Sequence, residues 1–398
     1  MIGIENNNVA TGPALLNLGF RPFFSGAAIY SLVAMLIWIA LTAFEWQWPY
    51  TGPSPVVWHA HEMIYGYGMA VVAGFLLTAV KNWTGVQTLH RTPLLLLFLL
   101  WLAGRILVLL GETVPLAVTG FVDCLFTALL TIAISLPIVK VKQWKQFGIL
   151  SKLVLLFASN LLFYAGAMNL IDGGVHAGLY SGLYLLIALI FVMGRRVMPF
   201  FIEKGVGYEV QLKNRKWLDV SSLLVFLVFW LADILKPDSL PVALAAIALL
   251  VLHGIRLAGW HTAGIWRKPL LWVLFVGYGS IVIGFALKAA VYLFGVSPYL
   301  ALHAFAVGGI GMITLGMMAR VTLGHTGRDV FTPPAILNWI FATFCGAVLF
   351  RVLAPLLDPG HYVLWIGISQ VFWISAFCLF LAACLPMLVQ PRVDGRYG

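Results

Sequence analysis

The sequence predicts an all-α polytopic membrane protein with about twelve transmembrane helices. Of its 398 residues, 62% are hydrophobic and only 10% are charged, whereas a soluble domain carries roughly 25% charged residues. The apolar residues lie in blocks of about 20, the length that crosses the hydrocarbon core of a bilayer as a helix. Lipid offers no hydrogen-bond partners, so these blocks are expected to be helical. The composition therefore excludes an ordinary soluble enzyme.

Short turns that carry Pro and Gly separate the apolar segments. The predicted spans are 24–44, 56–80, 93–111, 114–139, 148–170, 175–199, 217–235, 240–258, 270–294, 298–320, 333–356 and 361–388. We treat residues 1–398 as a single transmembrane domain. The second, sixth and tenth helices each begin near a histidine and end in basic residues, so we also predict three related groups of four helices, at 24–139, 148–258 and 270–388.

The formal net charge of +10 is explained by topology. Basic residues gather at the two termini and in the even-numbered connections, while Lys236 and Arg351 lie near the opposite side. The positive-inside rule then places both termini in the cytoplasm. We therefore expect the lipid bilayer, and not nucleic acid, as the partner of these charges.

Histidines near the predicted outer face form the main candidate site. His59 and His61 begin the second helix, His176 begins the sixth, and His303 lies roughly two turns inside the tenth. Imidazole binds haem iron, copper and zinc, and glycines follow these histidines, which leaves room for a flat macrocycle. We predict a histidine-ligated metal centre in the periplasmic half. Close helix packing through small residues is the alternative reason for the glycines.

Helix geometry indicates that His59 and His61 serve two different centres, or that one of them only donates a hydrogen bond to a ligand. Positions two apart point about 200° apart on a regular helix, so His59 and His61 are not expected to ligate one ion. His303 is our first choice of axial ligand if the centre is a haem, with His61 as its partner. His59 is the candidate for a separate metal centre together with His176, for which a hydrogen-bonded position at the start of the helix is the alternative.

Charged residues inside the spans fit the same centre. Arg105 and Lys288 lie in the outer parts of their helices, where either can pair with haem propionates. A structural ion pair between Arg105 and Asp123 is the competing interpretation. Glu62 is placed to orient the His61 ring or to carry protons.

A second polar cluster lies at the basic ends of the helices, on the predicted inner face. It includes Lys81, Asn82, Arg196, Arg320 and His325. Arg and aromatic residues at helix ends are ordinary interface anchors, but these segments are more polar and glycine-rich than an anchor requires. An anion site or a proton-entry site is the functional alternative.

Several motifs resemble those of the NnrS family. They are residues 20–24 (FRPFF), 58–63 (WHAHEM), 74–85 (GFLLTAVKNWTG), 101–105 (WLAGR), 194–201 (GRRVMPFF) and the run 303–328. The resemblance covers nearly the whole chain and implies an inner-membrane protein with twelve spans that contains haem and copper. It also implies a link to the nitric oxide response and nitrosative stress, often alongside denitrification. The characteristic histidines of the family correspond to His59, His61, His303 and His325.

The layout is also similar, by analogy, to the catalytic subunit of haem–copper oxidases and nitric oxide reductases, which has histidine ligands on helices two, six and ten. This chain departs from that pattern, because its tenth helix has one histidine and its seventh has none. One haem is therefore the more economical count.

Taken together, the residues and the resemblance predict a protein that binds b-type haem and copper and acts on nitric oxide or a metal-nitrosyl adduct. The electron donor is unknown, and catalysis is left open. The alternatives are a transporter or metal-handling permease without a redox cofactor, and a redox or nitric oxide sensor that does not turn over substrate. A visible spectrum separates the first alternative from the haem protein.

Overall fold

A computed structural model describes residues 13–44 and 54–398 and contains twelve helices there that are long and apolar enough to cross a membrane. They are α1 (Phe20–Ala43), α2 (Pro55–Thr84), α3 (Arg91–Leu109), α4 (Leu116–Lys140), α5 (Trp144–Ala167), α6 (Gly174–Gly205), α7 (Lys216–Leu235), α8 (Leu240–Trp260), α9 (Pro269–Phe294), α10 (Pro298–His325), α11 (Ile336–Leu357) and α12 (Pro359–Val389). These residues contain no β-strand. The predicted all-α class with twelve spans is confirmed.

Chain contacts divide the protein into two compact units. The first unit comprises Met1–Leu186, Met318–Val330 and Phe377–Gly398, and the second comprises Ile187–Met317 and Phe331–Ala376. The predicted single domain and its three groups of four helices stay predictions.

In the first unit, small residues let the helices approach closely. Helix α1 packs against α2, and α4 packs against α2, α3 and α5. Phe23 and Phe24 of α1 have no exposed surface. A Cβ atom on Gly74 of α2 would lie 2.7 Å from the Phe24 ring. The glycine is therefore what allows α1 and α2 to meet, as is common for helices in membranes.

In the second unit, α7 shows the reverse of the pattern of a soluble helix. Its exposed side is apolar and includes Leu223, Leu224, Leu227, Val228 and Leu231. Its buried side carries polar groups, among them Ser222 and Asp233. Because α7 packs against α8 and presents leucine outward, the outward side suits contact with lipid.

The helix ends follow local chemistry. Proline occupies the first turn of α2, α9 and α10, at Pro55, Pro269 and Pro298, where its missing N–H costs nothing. Gly85 and Gly295 terminate α2 and α9 with φ of 70° and 66°. That left-handed conformation favours glycine, which lacks a Cβ atom.

Two helices contain a wide π-helical stretch directly after a candidate histidine. In α2 it covers Glu62–Gly68 and follows His61, and in α10 it covers Ala304–Gly311 and follows His303. A third stretch, Leu349–Leu353, lies in α11. Such segments change which side chains share a face, and they are frequent at functional sites.

Candidate functional site

A buried ion-pair network occupies the middle of the first unit. Arg105 of α3 donates from Nη1 to Oε2 of Glu62 at 2.7 Å, and from Nη2 to Asp123 of α4. The side chains of all three residues are at most 1% exposed. The ion pair of Arg105 with Asp123 is therefore present. It was the predicted alternative to propionate binding.

The partners of His61 assign its protons. Asn160 of α5 donates from Nδ2 to Asp123 at 2.9 Å, which turns its amide oxygen toward Nε2 of His61 at 3.0 Å. On the other side, Nδ1 lies 2.9 Å from Oε1 of Glu62. An amide oxygen and an ionised carboxylate only accept hydrogen bonds. Nε2 therefore carries a hydrogen, and a second hydrogen lies between Nδ1 and Oε1 of Glu62.

Charge balance supports this assignment. Glu62 and Asp123 bring two negative charges, and Arg105 brings one positive charge. One proton shared by His61 and Glu62 makes the network neutral, and neutrality is favoured because an isolated charge in an apolar interior is very costly. Tyr30 of α1 also donates to Glu62, which stabilises its ionised form. Chemically, the network stores one proton that Glu62 and His61 share.

This arrangement decides how His61 fits a metal. A metal ligand must offer a lone pair from a neutral imidazole, and here both nitrogens face acceptors. Ligation would require the ring to lose its proton and both of its hydrogen bonds. As it stands, His61 suits proton storage better than haem ligation, and its role as the second axial ligand stays a prediction.

The close packing of the network depends on Gly66, in the π-helical stretch of α2. A Cβ atom there would lie 2.8 Å from Nη1 of Arg105 and 2.8 Å from Cε1 of Tyr30. Both neighbours are held by Glu62, so neither can move away freely.

We therefore expect Gly66→Ala to lower the stability of the detergent-solubilised protein by about 1–3 kcal/mol. The measurement is the thermal melting temperature. Gly148→Ala in α5 is the matched control, because nothing lies within 4 Å of its added Cβ atom and alanine favours a helix. Equal melting temperatures for the two variants would contradict this role of Gly66.

The rings of His59 and His176 contact aromatic side chains. The His59 ring stacks on Trp38 of α1, with centroids 4.4 Å apart and an interplanar angle of 18°. The His61 ring contacts Asn160 of α5 instead. This agrees with the expectation that side chains two residues apart on a helix point in different directions. The His176 ring lies 4.2 Å from the ring of Tyr180, and its buried Nε2 has no hydrogen-bond partner among the described residues.

In the second unit, His303 has the tautomer typical of a metal ligand. Its Nδ1 lies 2.7 Å from the carbonyl oxygen of Tyr299, which only accepts, so Nδ1 carries the hydrogen. Its Nε2 lies 2.9 Å from Nη2 of Arg351, which only donates, so Nε2 presents its lone pair. Metal-ligating histidines are commonly oriented by such a carbonyl. The guanidinium of Arg351 is a cation at the position that a metal cation would take.

Lys288 of α9 already has carboxylate partners. Its Nζ lies 2.8 Å from Asp233 of α7 and 2.9 Å from Asp238 in the following connection. The Lys288 and Asp233 side chains are 5% and 0% exposed. The charge of Lys288 is thus matched within the protein, and so is that of Arg105. Their pairing with haem propionates stays a prediction.

Sequence reasoning missed His253 of α8. Its ring is fully buried and stacks on Phe191, with centroids 4.0 Å apart. Nδ1 lies 2.6 Å from the hydroxyl of Tyr278, while Nε2 has no hydrogen-bond partner among the described residues. Arg256, one helical turn on, reaches the same Tyr278 hydroxyl at 3.3 Å. The signal was a His and an Arg three apart inside an otherwise apolar span.

The predicted inner-face residues fall into both units. Lys81, Asn82, Arg320 and His325 belong to the first unit and Arg196 to the second. Lys81 lies 4.6 Å above the ring of Tyr397, His325 packs 5.6 Å from the ring of Phe20, and Asn82 is exposed.

Within residues 13–44 and 54–398, no three His, Cys, Asp or Glu side chains lie close enough together to hold a metal ion. A protein-family model described as NnrS protein matches residues 14–392 of the chain. No curated protein matches the chain.

Proposed function

Because the chain belongs to the NnrS family, a family of membrane proteins tied to the nitric oxide response, we propose that it binds haem and copper and acts on nitric oxide or a metal-nitrosyl adduct. Haem iron, when bound, supplies a coordination position at which nitric oxide binds. The protein supplies the axial ligand and the charges around it.

The observation that carries this proposal is the hydrogen bonding of His303. The Tyr299 carbonyl fixes its ring and tautomer, and the lone pair of Nε2 points at a cationic group. Arg351 has a long flexible side chain, and Tyr362 offers it a second partner at 3.3 Å. The guanidinium could therefore leave Nε2 and keep Tyr362 as a partner, which would free the His303 lone pair to hold haem iron. We assign His303 as the residue that would ligate the iron.

For copper we propose His176, with His59. The buried Nε2 of His176 has no hydrogen-bond partner among the described residues, so a ligand bond would satisfy a nitrogen whose burial otherwise costs energy. His61 and Glu62 take a different role in this proposal, as the store of one proton that nitrogen-oxide chemistry consumes or releases.

His303→Ala is expected to remove the haem absorption of the purified protein. Loss of a metal ligand should weaken haem binding by at least about tenfold, since even changes in the residues that orient ligands cost that much. The measurement is the Soret absorbance per mole of protein after haem-sufficient expression. His361→Ala is the control, because this imidazole of the same unit is 69% exposed and pairs with Asp358.

An unchanged Soret band in His303→Ala would remove the ligand assignment. A wild-type protein without any Soret band would overturn the haem proposal and favour the permease. Copper analysis of His176→Ala, with a matching loss of bound copper expected, tests the second centre. Consumption of nitric oxide by the purified protein and a chemical reductant separates an enzyme from a sensor.

We further propose that the protein lies in the bacterial inner membrane with both termini in the cytoplasm. The distribution of basic residues over the connections supports this orientation. To test this orientation, a reporter enzyme that works only in the cytoplasm is fused after Gly398. We expect this fusion to show reporter activity. Activity of a periplasmic reporter at the same position would reverse the orientation.

A further inference from the structure

Arg21, in the first turn of α1, is fully buried at 0% exposure. One of its nitrogens, Nη1, donates to the carbonyl oxygens of Met387, Leu388 and Gln390 at the end of α12, at 3.2, 2.7 and 2.7 Å. Carbonyls at a helix C-terminus lack partners within the helix and carry partial negative charge. They anchor one corner of the guanidinium and fix its orientation.

The remaining edge of the same guanidinium has no acceptor. Its Nε and Nη2 are buried and have no hydrogen-bond partner among the described residues. These two nitrogens point in parallel along one edge, the arrangement that binds two oxygens of a carboxylate or phosphate. Two buried donors left without acceptors carry a desolvation cost, which an oxyanion with two oxygens on one centre would remove.

Other cations lie around Arg21. Arg328 and Arg392 are close enough to interact with it electrostatically. Nη1 of Arg328 is also buried without a hydrogen-bond partner among the described residues. Lys81 lies nearby over the ring of Tyr397, whose hydroxyl donates to the carbonyl of Asn17 in the segment just before α1.

Asp394, a carboxylate in this region, is already paired with Arg392. Asp394 receives hydrogen bonds from Nε and Nη2 of Arg392 at 2.8 and 2.5 Å. Those bonds hold the pKa of Asp394 well below its usual range, so it is ionised and neutralises Arg392. No ion pair joins Arg21 or Arg328 to a carboxylate within residues 13–44 and 54–398. Neither the Arg21 nor the Arg328 guanidinium is therefore neutralised by an ion pair with a carboxylate of those residues.

We propose that Arg21, with Arg328 and Lys81 beside it, binds a phosphate group through the Nε–Nη2 edge of Arg21. Three neighbouring positive charges favour a phosphate over a singly charged carboxylate. The positive end of the α1 helix adds to the same field. The phosphate comes either from free inorganic phosphate or from the headgroup of a phospholipid, since both present the same oxygens at the basic end of the helices.

The test uses the full chain, purified in detergent and in phosphate-free buffer. Inorganic phosphate is titrated at constant ionic strength while the melting temperature is followed, and lipids retained by the protein are identified by native mass spectrometry. Arg21→Lys keeps the charge but removes the two-donor edge. Arg328→Gln removes a neighbouring charge and leaves Arg21 in place. Arg215→Gln is the control, because this exposed arginine belongs to the second unit.

We expect phosphate to raise the melting temperature of the wild type and of Arg215→Gln with the same half-saturation. Arg21→Lys and Arg328→Gln should require at least about tenfold more phosphate for half-saturation. Arg21→Lys loses a hydrogen bond to the phosphate, and Arg328→Gln loses the attraction of a neighbouring positive charge. If Arg21→Lys does not fold, Arg328→Gln decides the question.

Two further outcomes are informative. No response to phosphate, together with a phospholipid retained by the wild type and lost from Arg328→Gln, assigns the site to a lipid headgroup. No response and no retained phospholipid would overturn the proposal, as would an equal half-saturation for Arg328→Gln and the wild type. None of these readouts involves haem or copper, so the result is independent of the function proposed above.

Discussion

Arg105→Met is expected to destabilise the first unit by at least about 3–5 kcal/mol, a large part of the stability of an ordinary fold. The change removes the cation between Glu62 and Asp123, and both carboxylates remain with at most 1% of their side chains exposed. Glu62 and Asp123 would then share an apolar interior with only the proton between His61 and Glu62 to offset their charge. The measurement is the melting temperature and the yield of monodisperse protein in detergent.

Arg195→Met is the matched control. Arg195 forms an ion pair with Asp219 at 2.8 Å, but its side chain is 44% exposed. Exposed pairs contribute about 0–1 kcal/mol because water screens them. Asp219 also keeps a second cation, Arg256, at 3.0 Å, so Arg195→Met removes an exposed ion pair without leaving a buried carboxylate unmatched.

Compensation provides a second check. Adding Glu62→Gln and Asp123→Asn to Arg105→Met removes the unmatched charges and should recover much of the lost melting temperature. A single Arg105→Met variant as stable as the wild type would show that the network does not carry ionised carboxylates. A triple variant no more stable than the single one would point to lost packing instead of charge.

The spans could be predicted because lipid imposes a length and a composition on each segment. The predicted span 217–235 and helix α7 (Lys216–Leu235) nearly coincide. The prediction was too short where a helix continues past its apolar part. Helix α6 runs to Gly205 and α10 to His325, beyond the predicted ends at 199 and 320. Polar residues can extend a helix into water, and hydropathy does not register that extension.

The partners within the site could not be predicted in the same way. Hydropathy and helical period indicated that Arg105, Glu62 and Lys288 are costly in a span and need partners. They did not reveal Asn160, which is 99 residues from His61 along the chain and fixes its protonation. Nor did they reveal Arg351 beside His303. Both contacts depend on which helices pack together, and the sequence of one helix does not contain that information.

The π-helical stretches of α2 and α10 could not be predicted from the sequence either. The regular 3.6-residue period predicts one set of faces for α2 and α10, and each stretch shifts the faces that follow it. In α2 the stretch places Glu62 and Gly66 against the same guanidinium, which lies 2.7 Å from the Glu62 oxygen. The glycines after His61 and His303 were predicted to leave room for a macrocycle. Gly66 serves instead to admit the side chain of Arg105.

Lys288→Met tests whether this lysine serves a cofactor or the fold. Its ammonium group lies 2.8 Å from Asp233, whose side chain has no exposed surface. Removing the lysine leaves a buried carboxylate without its cation, so we expect a loss of about 3–5 kcal/mol. Because the reason for the loss is electrostatic and lies within the protein, it should appear equally in haem-free and haem-loaded preparations. The measurement is the melting temperature of both preparations.

The double variant Lys288→Met, Asp233→Asn is expected to regain most of that stability, since a neutral amide costs far less to bury than a lone carboxylate. Asp238→Asn is the control for the other partner. That carboxylate is 40% exposed, so water replaces much of the lost ammonium contact and the effect should be small. If Lys288→Met instead lowered haem content while the haem-free protein kept its melting temperature, the lysine would be a propionate partner. The ion pair with Asp233 would then be secondary to cofactor binding.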